Sequence, residues 1–221
     1  LSENHPTVAV IPISLHESAS PVVARFIGRI PGIGVNLERD AAMAALAPHQ
    51  YRLLGEQGLV SYPLATAEQI HGAEIAIVAE PSGKPIPGVD GLLTSTRGIT
   101  LGISVADCAP VWIVARDGSA GALLHSGKKG TESGIVPRGI RELGARTGLT
   151  PSELSVTIGP CIRPPCYEVD FAAEIRRQAA DEGVMEIHDD SICTACHPER
   201  YYSYRREKGV TGRMLATLTL V

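Results

Sequence analysis

Aromatic side chains are scarce in this sequence, and blocks of positive charge are missing. Phe, Trp and Tyr together make up 4% of the 221 residues, too little material for the stacking platforms that hold single-stranded nucleic acid. Basic residues cluster in pairs at most, and the net charge is −4, so nucleic acid is not an expected partner. No apolar run approaches the ~20 residues that a membrane helix needs, and no membrane association is expected. The opening LSENHPTVAV has neither the basic start nor the apolar run of a secretory signal, although a start at Leu1 rather than Met leaves room for residues upstream. Five cysteines do not make a disulfide scaffold in a chain this long, and an odd number leaves one unpaired. The expected compartment is a reducing cytoplasm.

What is present is ordinary globular material, 44% hydrophobic and 20% charged, in a chain long enough to bury a sizeable core. TVAVIPISL (7–15) and VVARFIG (22–28) have the β-branched content of short strands. LERDAAMAALA (37–47) is helical, with Pro48 as an expected stop, and YRLLGEQGL (51–59) continues helically to about Gly58. Strands then dominate: AEIAIVAE (73–80), GVDGLLTS (88–95), ITLGISVAD (99–107), PVWIVAR (110–116) and GALLH (121–125), separated by Gly, Pro, Asp and Ser turn signals. Beyond Thr131 the period changes. Val136, Ile140, Leu143 and Thr147 recur at helical spacing, with Pro137 tolerated early and Gly148 as a stop. LSVTIGP (154–160) is a strand, FAAEIRRQAA (171–180) a helix with Phe171, Ile175 and Ala179 on one face, and RMLATLTLV (213–221) a strand. With no repeat or linker, residues 1–221 are expected to form one α/β domain with a mixed sheet.

Chemistry concentrates at strand ends. His71 in QIHGAE, Cys108 in ADCAP and His125 in LLHSG are each flanked by small residues that leave room for a ligand near the backbone. Two imidazoles and a thiolate are a set that zinc favours, and three protein ligands leave a fourth position open, the arrangement of a catalytic site. The same residues also suit nucleophilic catalysis, with Cys108 activated by His125 or His71 and Asp107 orienting the base. Spacing does not separate the two, and a lone His or Cys in an apolar stretch is most often a packed core residue. Lys128 and Lys129 in SGKKGTES lie between a strand and a helix, where backbone amides and positive charge can hold a phosphate. The stretch is no Walker A loop, since five residues separate Gly121 from Gly127 and Lys129 stands where Ser or Thr is required. In the tail, Cys193, Cys196 and His197 look like half a zinc knuckle. No second pair follows at knuckle spacing, and Cys161 and Cys166 lie upstream, so no structural zinc is expected there.

In order along the chain, QIHG, VDGLLT, GISVADCAPVWI, GALLHSGKKGTESGI, TIGPCI, CYEVD and CTACHPERYYSYRREKGVTGRM resemble the YfiH-type laccase-domain family, also called multicopper polyphenol oxidases. The resemblance runs from about Asn36 to the C-terminus. It implies a layered α/β/β/α sandwich of mixed sheets, related to cysteine-dependent toxin deamidases. It implies zinc held by His71, Cys108 and His125, with copper able to use the same ligands. It implies phosphorolysis of purine nucleosides (adenosine, inosine, guanosine and methylthioadenosine) and deamination of adenosine; some bacterial members are linked instead to peptidoglycan precursors. A true copper laccase needs several His-rich sites, whereas the seven histidines here are scattered.

The expected site therefore has Cys108, His125 and Asp107 as catalytic groups, Asp107 either carrying a proton or orienting a metal ligand. Asn36, Lys128, Lys129, Arg52 and Arg206 are the expected substrate and phosphate contacts. The sequence departs from the family where Gly127-Lys128-Lys129-Gly130 replaces a Gly-Trp-Arg-Gly run, and where His49 and Gln50 replace an Asn-Arg pair. Lys129 can stand in as a point charge but not as a bidentate fork, and the missing Trp removes one wall of a base pocket. The expected function is a zinc-dependent purine nucleoside phosphorylase with adenosine deamination second, acting on a small nucleoside and phosphate as a monomer or weak homodimer. The alternatives are a Cys-His hydrolase or amidase on a peptidoglycan precursor, and a non-catalytic metal-binding protein.

Overall fold

In the computed structural model, residues 10–13 and 22–221 are described. They form two mixed sheets and four helices. The first sheet contains β1 (Val10–Pro12), β2 (Val22–Ile27), β3 (Leu64–Thr66), β6 (Ile99–Val105) and β11 (Met214–Leu220), in the order β1-β2-β11-β6-β3. The second contains β4 (Ile75–Ile77), β5 (Gly91–Thr94), β7 (Ala109–Ala115), β8 (Gly121–Ser126), β9 (Leu154–Ile158) and β10 (Glu186–Asp189), in the order β10-β9-β7-β8-β5-β4. The helices are α1 (Arg39–Glu56), α2 (Lys128–Glu132), α3 (Ile135–Thr147) and α4 (Phe171–Asp181).

The apolar runs explain the layering. APVWIVA in β7 is buried along its whole length because side chains alternate between two covered faces. Trp112 and Val114 join the core that contains the first sheet, whereas Val111 and Ile113 join the core beneath α3 and α4. Between the sheets, Trp112 Nε1 donates to the Thr217 carbonyl at 3.0 Å. Gly121 lies so close to the first sheet that a Cβ there would meet Leu218 Cδ2 at 2.7 Å. On the far face of the first sheet, Leu46 and Leu54 of α1 border an apolar cavity with Leu64 and Leu215. Ile140 and Leu143 of α3 and Ile175 and Ala179 of α4 are buried over the second sheet. The layers thus run helix, sheet, sheet, helices.

Pro48 does not stop the first helix. α1 runs through it to Glu56, because buried Leu46, Leu53 and Leu54 hold both halves against the sheet and offset the one backbone bond that proline removes. Gly148 does end α3, with φ at +74°, a left-handed position that glycine takes without strain. Strands β3 and β10 are additions to the sequence reading. Each is short and pairs in parallel at a sheet edge, so its own sequence carries little alternation. The N-terminal strand expected over residues 7–15 falls partly outside the described residues; β1 is its described part.

Candidate metal centre and cleft

Strand register builds the site. In the β7–β8 hairpin Ala109 pairs with Ser126 and Pro110 with His125, which sets Cys108 opposite Gly127. There is no room for a Cβ on Gly127, because it would run into the Cys108 sulfur. Across β5 and β8 Gly91 pairs with Leu124, which sets Asp90 beside His125, and the His125 amide donates to the Asp90 carbonyl at 2.7 Å. On the other side of β5, Ile75 of β4 pairs with Gly91, bringing the 69–72 turn over the same strand end.

Asp90 organises this corner. It is fully buried, and its carboxylate accepts the backbone N–H groups of Ile70 (3.1 Å), His71 (2.9 Å) and Gly72 (2.7 Å). Its Oδ1 also lies 2.8 Å from His125 Nδ1. The ring of His125 is thereby held with Nε2 as its remaining nitrogen for the site. Gln69 pins the same turn from behind, donating to the Ser104 carbonyl at 2.6 Å and accepting the Ser104 amide at 2.9 Å. These anchors hold Gln69 and His71 at φ of +63° and +64°; Asp107, at +84°, is held instead by Thr194 and the Arg205 amide. Such left-handed non-glycine residues cost about 1–3 kcal/mol each and persist only where surroundings over-determine them.

His71, Cys108 and His125 converge, with one ligand atom from each lying within 4.8 Å of the others. The two imidazole rings meet edge to face at 4.9 Å between centroids. Burial alone would raise the Cys108 pKa, but the charge of His125 and its hydrogen bond, with help from His71, pull it down to about 6. Burial likewise opposes charge on His125. The Cys108 thiolate and the Asp90 carboxylate outweigh it and hold the imidazolium to about 9. Without metal the pair is therefore thiolate and imidazolium at neutral pH, and two imidazoles with a ready thiolate fit a zinc or copper ion.

Since the folded pKa of Cys108 lies below its ordinary value, the thiolate persists down to about pH 6. In chelator-treated protein, alkylation of the Cys108 peptide, followed by mass spectrometry, should rise to half its maximum near pH 6 and stay level through pH 8. An ordinary buried thiol would still be climbing at pH 9, and that result would contradict the ion pair.

The triad opens into a cleft of ≈ 860 Å³, within the usual size of small-molecule sites. Lys128 and Lys129 line it from the start of α2, as do Arg39, Arg205, Lys208 and Arg213, against only Glu38 and Asp107 of opposite sign. Tyr167 and Phe171 form an aromatic wall, their rings 6.0 Å apart and near perpendicular. Arg213 is the most constrained cation: burial and the nearby Arg39 both push its pKa down.

Other expected contacts stand elsewhere. Arg52 is 59% exposed on α1 and pairs with Glu56 at 2.5 Å, outside the cleft lining. Asn36 is exposed just ahead of α1, where Leu37, Glu38 and Arg39 line the cleft instead. Arg206 donates to the Ala195 carbonyl at 3.0 Å, and its neighbour Arg205 faces the cleft. Asp107 reaches the cleft, but its two oxygens accept Thr194 Oγ1 (2.6 Å) and the Arg205 amide (2.7 Å). The carboxylate that orients a triad histidine is Asp90, not Asp107. Asp90 falls in the expected strand GVDGLLTS (88–95) without being singled out, and Gly91 beside it sits inside the sheet, where a Cβ would meet Leu124 and Ile75 at 2.7 and 2.8 Å. An acid at the mouth of the short, mostly apolar GLLT stretch was the available signal.

Residues 34–174 and 169–221 match the family described as multi-copper polyphenol oxidoreductase laccase. The chain belongs to this laccase-like YfiH family. Among curated members it is 32% identical to a protein of Geobacillus stearothermophilus named purine nucleoside phosphorylase YlmD, over 71% of this chain and 73% of the relative. It is 31% identical to a purine nucleoside phosphorylase of Corynebacterium glutamicum, over 80% and 82%. The solved structure of the Geobacillus YlmD superposes with a TM-score of 0.78 at 27% identity, covering 90% of this chain and 92% of that one. A hypothetical YfiH protein of Bacillus licheniformis superposes at 0.81 and 21% identity, over 90% and 93%, and shares the fold. Among the described residues one cluster alone combines histidine with cysteine, and His188 and His197 are exposed, beside Glu186 and Glu199 respectively. No helix among the described residues is long and apolar enough to cross a membrane.

Proposed function

We propose that this YfiH-family protein is a zinc-dependent purine nucleoside phosphorylase acting on adenosine, inosine, guanosine and methylthioadenosine. The carrying observation is that one cleft combines a soft-donor triad, a cationic lining and an aromatic wall. Relatives named for the same activity support it. A purine needs a flat apolar face, which Tyr167 and Phe171 offer in place of the family tryptophan. Phosphate needs fixed positive charge, which exposed Lys128, Lys129 and Arg39 and half-buried Arg213 offer along the cleft. An anion between those two guanidinium groups relieves the mutual repulsion that already depresses Arg213.

His71, Cys108 and His125 would hold the zinc, which when bound supplies a Lewis acid that polarises a substrate oxygen. The chain's own residues do the rest. The cations hold hydrogen phosphate against C1′, so that a phosphate oxygen bonds to C1′ as the C1′–N9 bond breaks, and the purine leaves as the neutral base with the proton that the hydrogen phosphate gives up. Asp90 keeps His125 in one tautomer. Asp107 is a positioning residue, fastening the Arg205 backbone and the Thr194 loop to the end of β6.

The Cys108–His125–Asp90 line also supports a metal-free alternative. A thiolate, a histidine and an orienting carboxylate are the parts of a cysteine hydrolase or amidase, for which a peptidoglycan precursor is the candidate substrate. Product analysis by liquid chromatography separates these readings. Zinc-loaded protein should release free base from adenosine, inosine and methylthioadenosine only when phosphate is present. Base released without phosphate would indicate hydrolysis, and inosine from adenosine would indicate deamination. No product from any nucleoside would sink the purine assignment.

A further inference from the structure

A second cluster of soft donors lies outside the cleft. Cys166, in the loop between β9 and α4, meets Cys193 and Cys196, which flank a 3-10 turn after β10. The three sulfurs lie within 4.8 Å of one another, and Cys166 and Cys196 are 3.5 Å apart. No disulfide joins them. Thiolates around one cation at the usual zinc–sulfur distance of about 2.3 Å stand about 3.8 Å apart in tetrahedral geometry, inside the range spanned here. The Cys193 thiol lies 3.9 Å from the Arg163 carbonyl, to which it donates, and the Cys196 amide closes the turn on the Cys193 carbonyl at 3.2 Å. Arg163 and Asp189 pair with each other through two contacts, and Glu168 pairs with Arg205 at 2.7 Å. No carboxylate belongs to the cluster, so hard cations such as Mg²⁺ or Ca²⁺ have no oxygen ligands to choose.

We propose that Cys166, Cys193 and Cys196 form a second metal site, binding one soft closed-shell cation, Zn(II) or Cu(I), through three thiolates. Exposed Cys196 provides the way in and leaves a coordination position facing solvent. The site staples the Cys166 loop to the Cys193–Cys196 turn, two segments 30 residues apart in sequence. Both segments bear on the cleft. Tyr167 follows Cys166 and lines it, while Thr194 holds Asp107 and the Ala195 carbonyl holds Arg206. The site stands on its own geometry and does not depend on nucleosides being the substrate.

The test is metal stoichiometry on the full chain, reduced and anaerobic, titrated separately with Zn(II) and with Cu(I). The wild type should bind two equivalents of at least one cation, and both C166S/C193S and C108A should bind one. Two equivalents of Zn(II) alone would indicate an open four-coordinate site, and two of Cu(I) alone a trigonal one; either supports the proposal. A wild type that saturates at one equivalent of each cation, lost in C108A, would overturn it, as would a C166S/C193S variant that still binds two. Should that variant fail to fold, labelling of the wild type decides. The cation should slow alkylation of the Cys166, Cys193 and Cys196 peptides at least tenfold, reversibly with chelator. Unchanged labelling rates would overturn the site.

Discussion

Cys108→Ala should abolish zinc binding at the triad and reduce phosphate-dependent base release by about a thousandfold, the several kcal/mol a Lewis acid contributes at about 1.4 kcal/mol per decade. The fold should survive, because Cys108 lies in the connection between β6 and β7 and the variant leaves both strands intact. Removing the thiolate also removes the larger of the two charges that hold His125 protonated, leaving Asp90, so the imidazole shifts toward neutrality and His71 and His125 remain as a two-donor site. Metal content and product formation should be read together. Loss of both places the thiolate among the metal ligands. Full metal content with loss of activity would favour the nucleophilic hydrolase, and full activity with neither would remove Cys108 from the reaction altogether.

Asp90→Asn should be nearly as damaging, through a residue that does not touch the substrate. Oδ1 accepts from the His71 amide and faces His125 Nδ1, while Oδ2 accepts from the Ile70 and Gly72 amides. Whichever oxygen the amide NH₂ replaces, a donor then faces two donors. Either the Ile70 and Gly72 amides lose their acceptor, or the His71 amide and His125 Nδ1 lose theirs, and in both cases the charge that steadies the turn and the imidazole is gone. Zinc affinity should fall about 10–100-fold, the usual effect of removing a carboxylate behind a ligating histidine. Thermal or denaturant unfolding should show a loss of about 3 kcal/mol, as expected for a buried charge network broken at one member.

The pH dependence follows from the sign of the shift. Burial opposes ionisation of Asp90, but its hydrogen bonds from His125 and the Gly72 and His71 amides, together with the His125 charge, win and lower its pKa below 3.8. Its contribution is whole at neutral pH and is lost only as pH falls through that lowered value. The wild type should therefore show a steeper acid limb of destabilisation than Asp90→Asn, in which Glu207 and other lowered carboxylates still contribute. A variant with wild-type metal affinity and an unchanged acid limb would show that Asp90 organises nothing.

Much of this was legible in the sequence. The strands β5 to β9 announce themselves as apolar runs between turn residues, and α3 and α4 show their buried faces at helical spacing. His71, Cys108 and His125 were identifiable as residue types at strand ends, and the ordered motifs placed the chain in its family. Local pattern is strong there because each element buries a continuous stripe or face, and burial is what hydrophobic periodicity records. What only the tertiary structure decided is partnership. Asp90 is one more residue of an expected strand until β8 and the 69–72 turn close around it. Arg39 and Arg213 line one cleft from distant parts of the chain, while Arg52 turns outward on the helix that begins at Arg39. Cys166 meets Cys193 and Cys196 only because β10 lies parallel to β9 and returns the chain to the same edge. Strand register and sheet order set those contacts, and neither is written in any one segment, since each depends on which strand lies alongside.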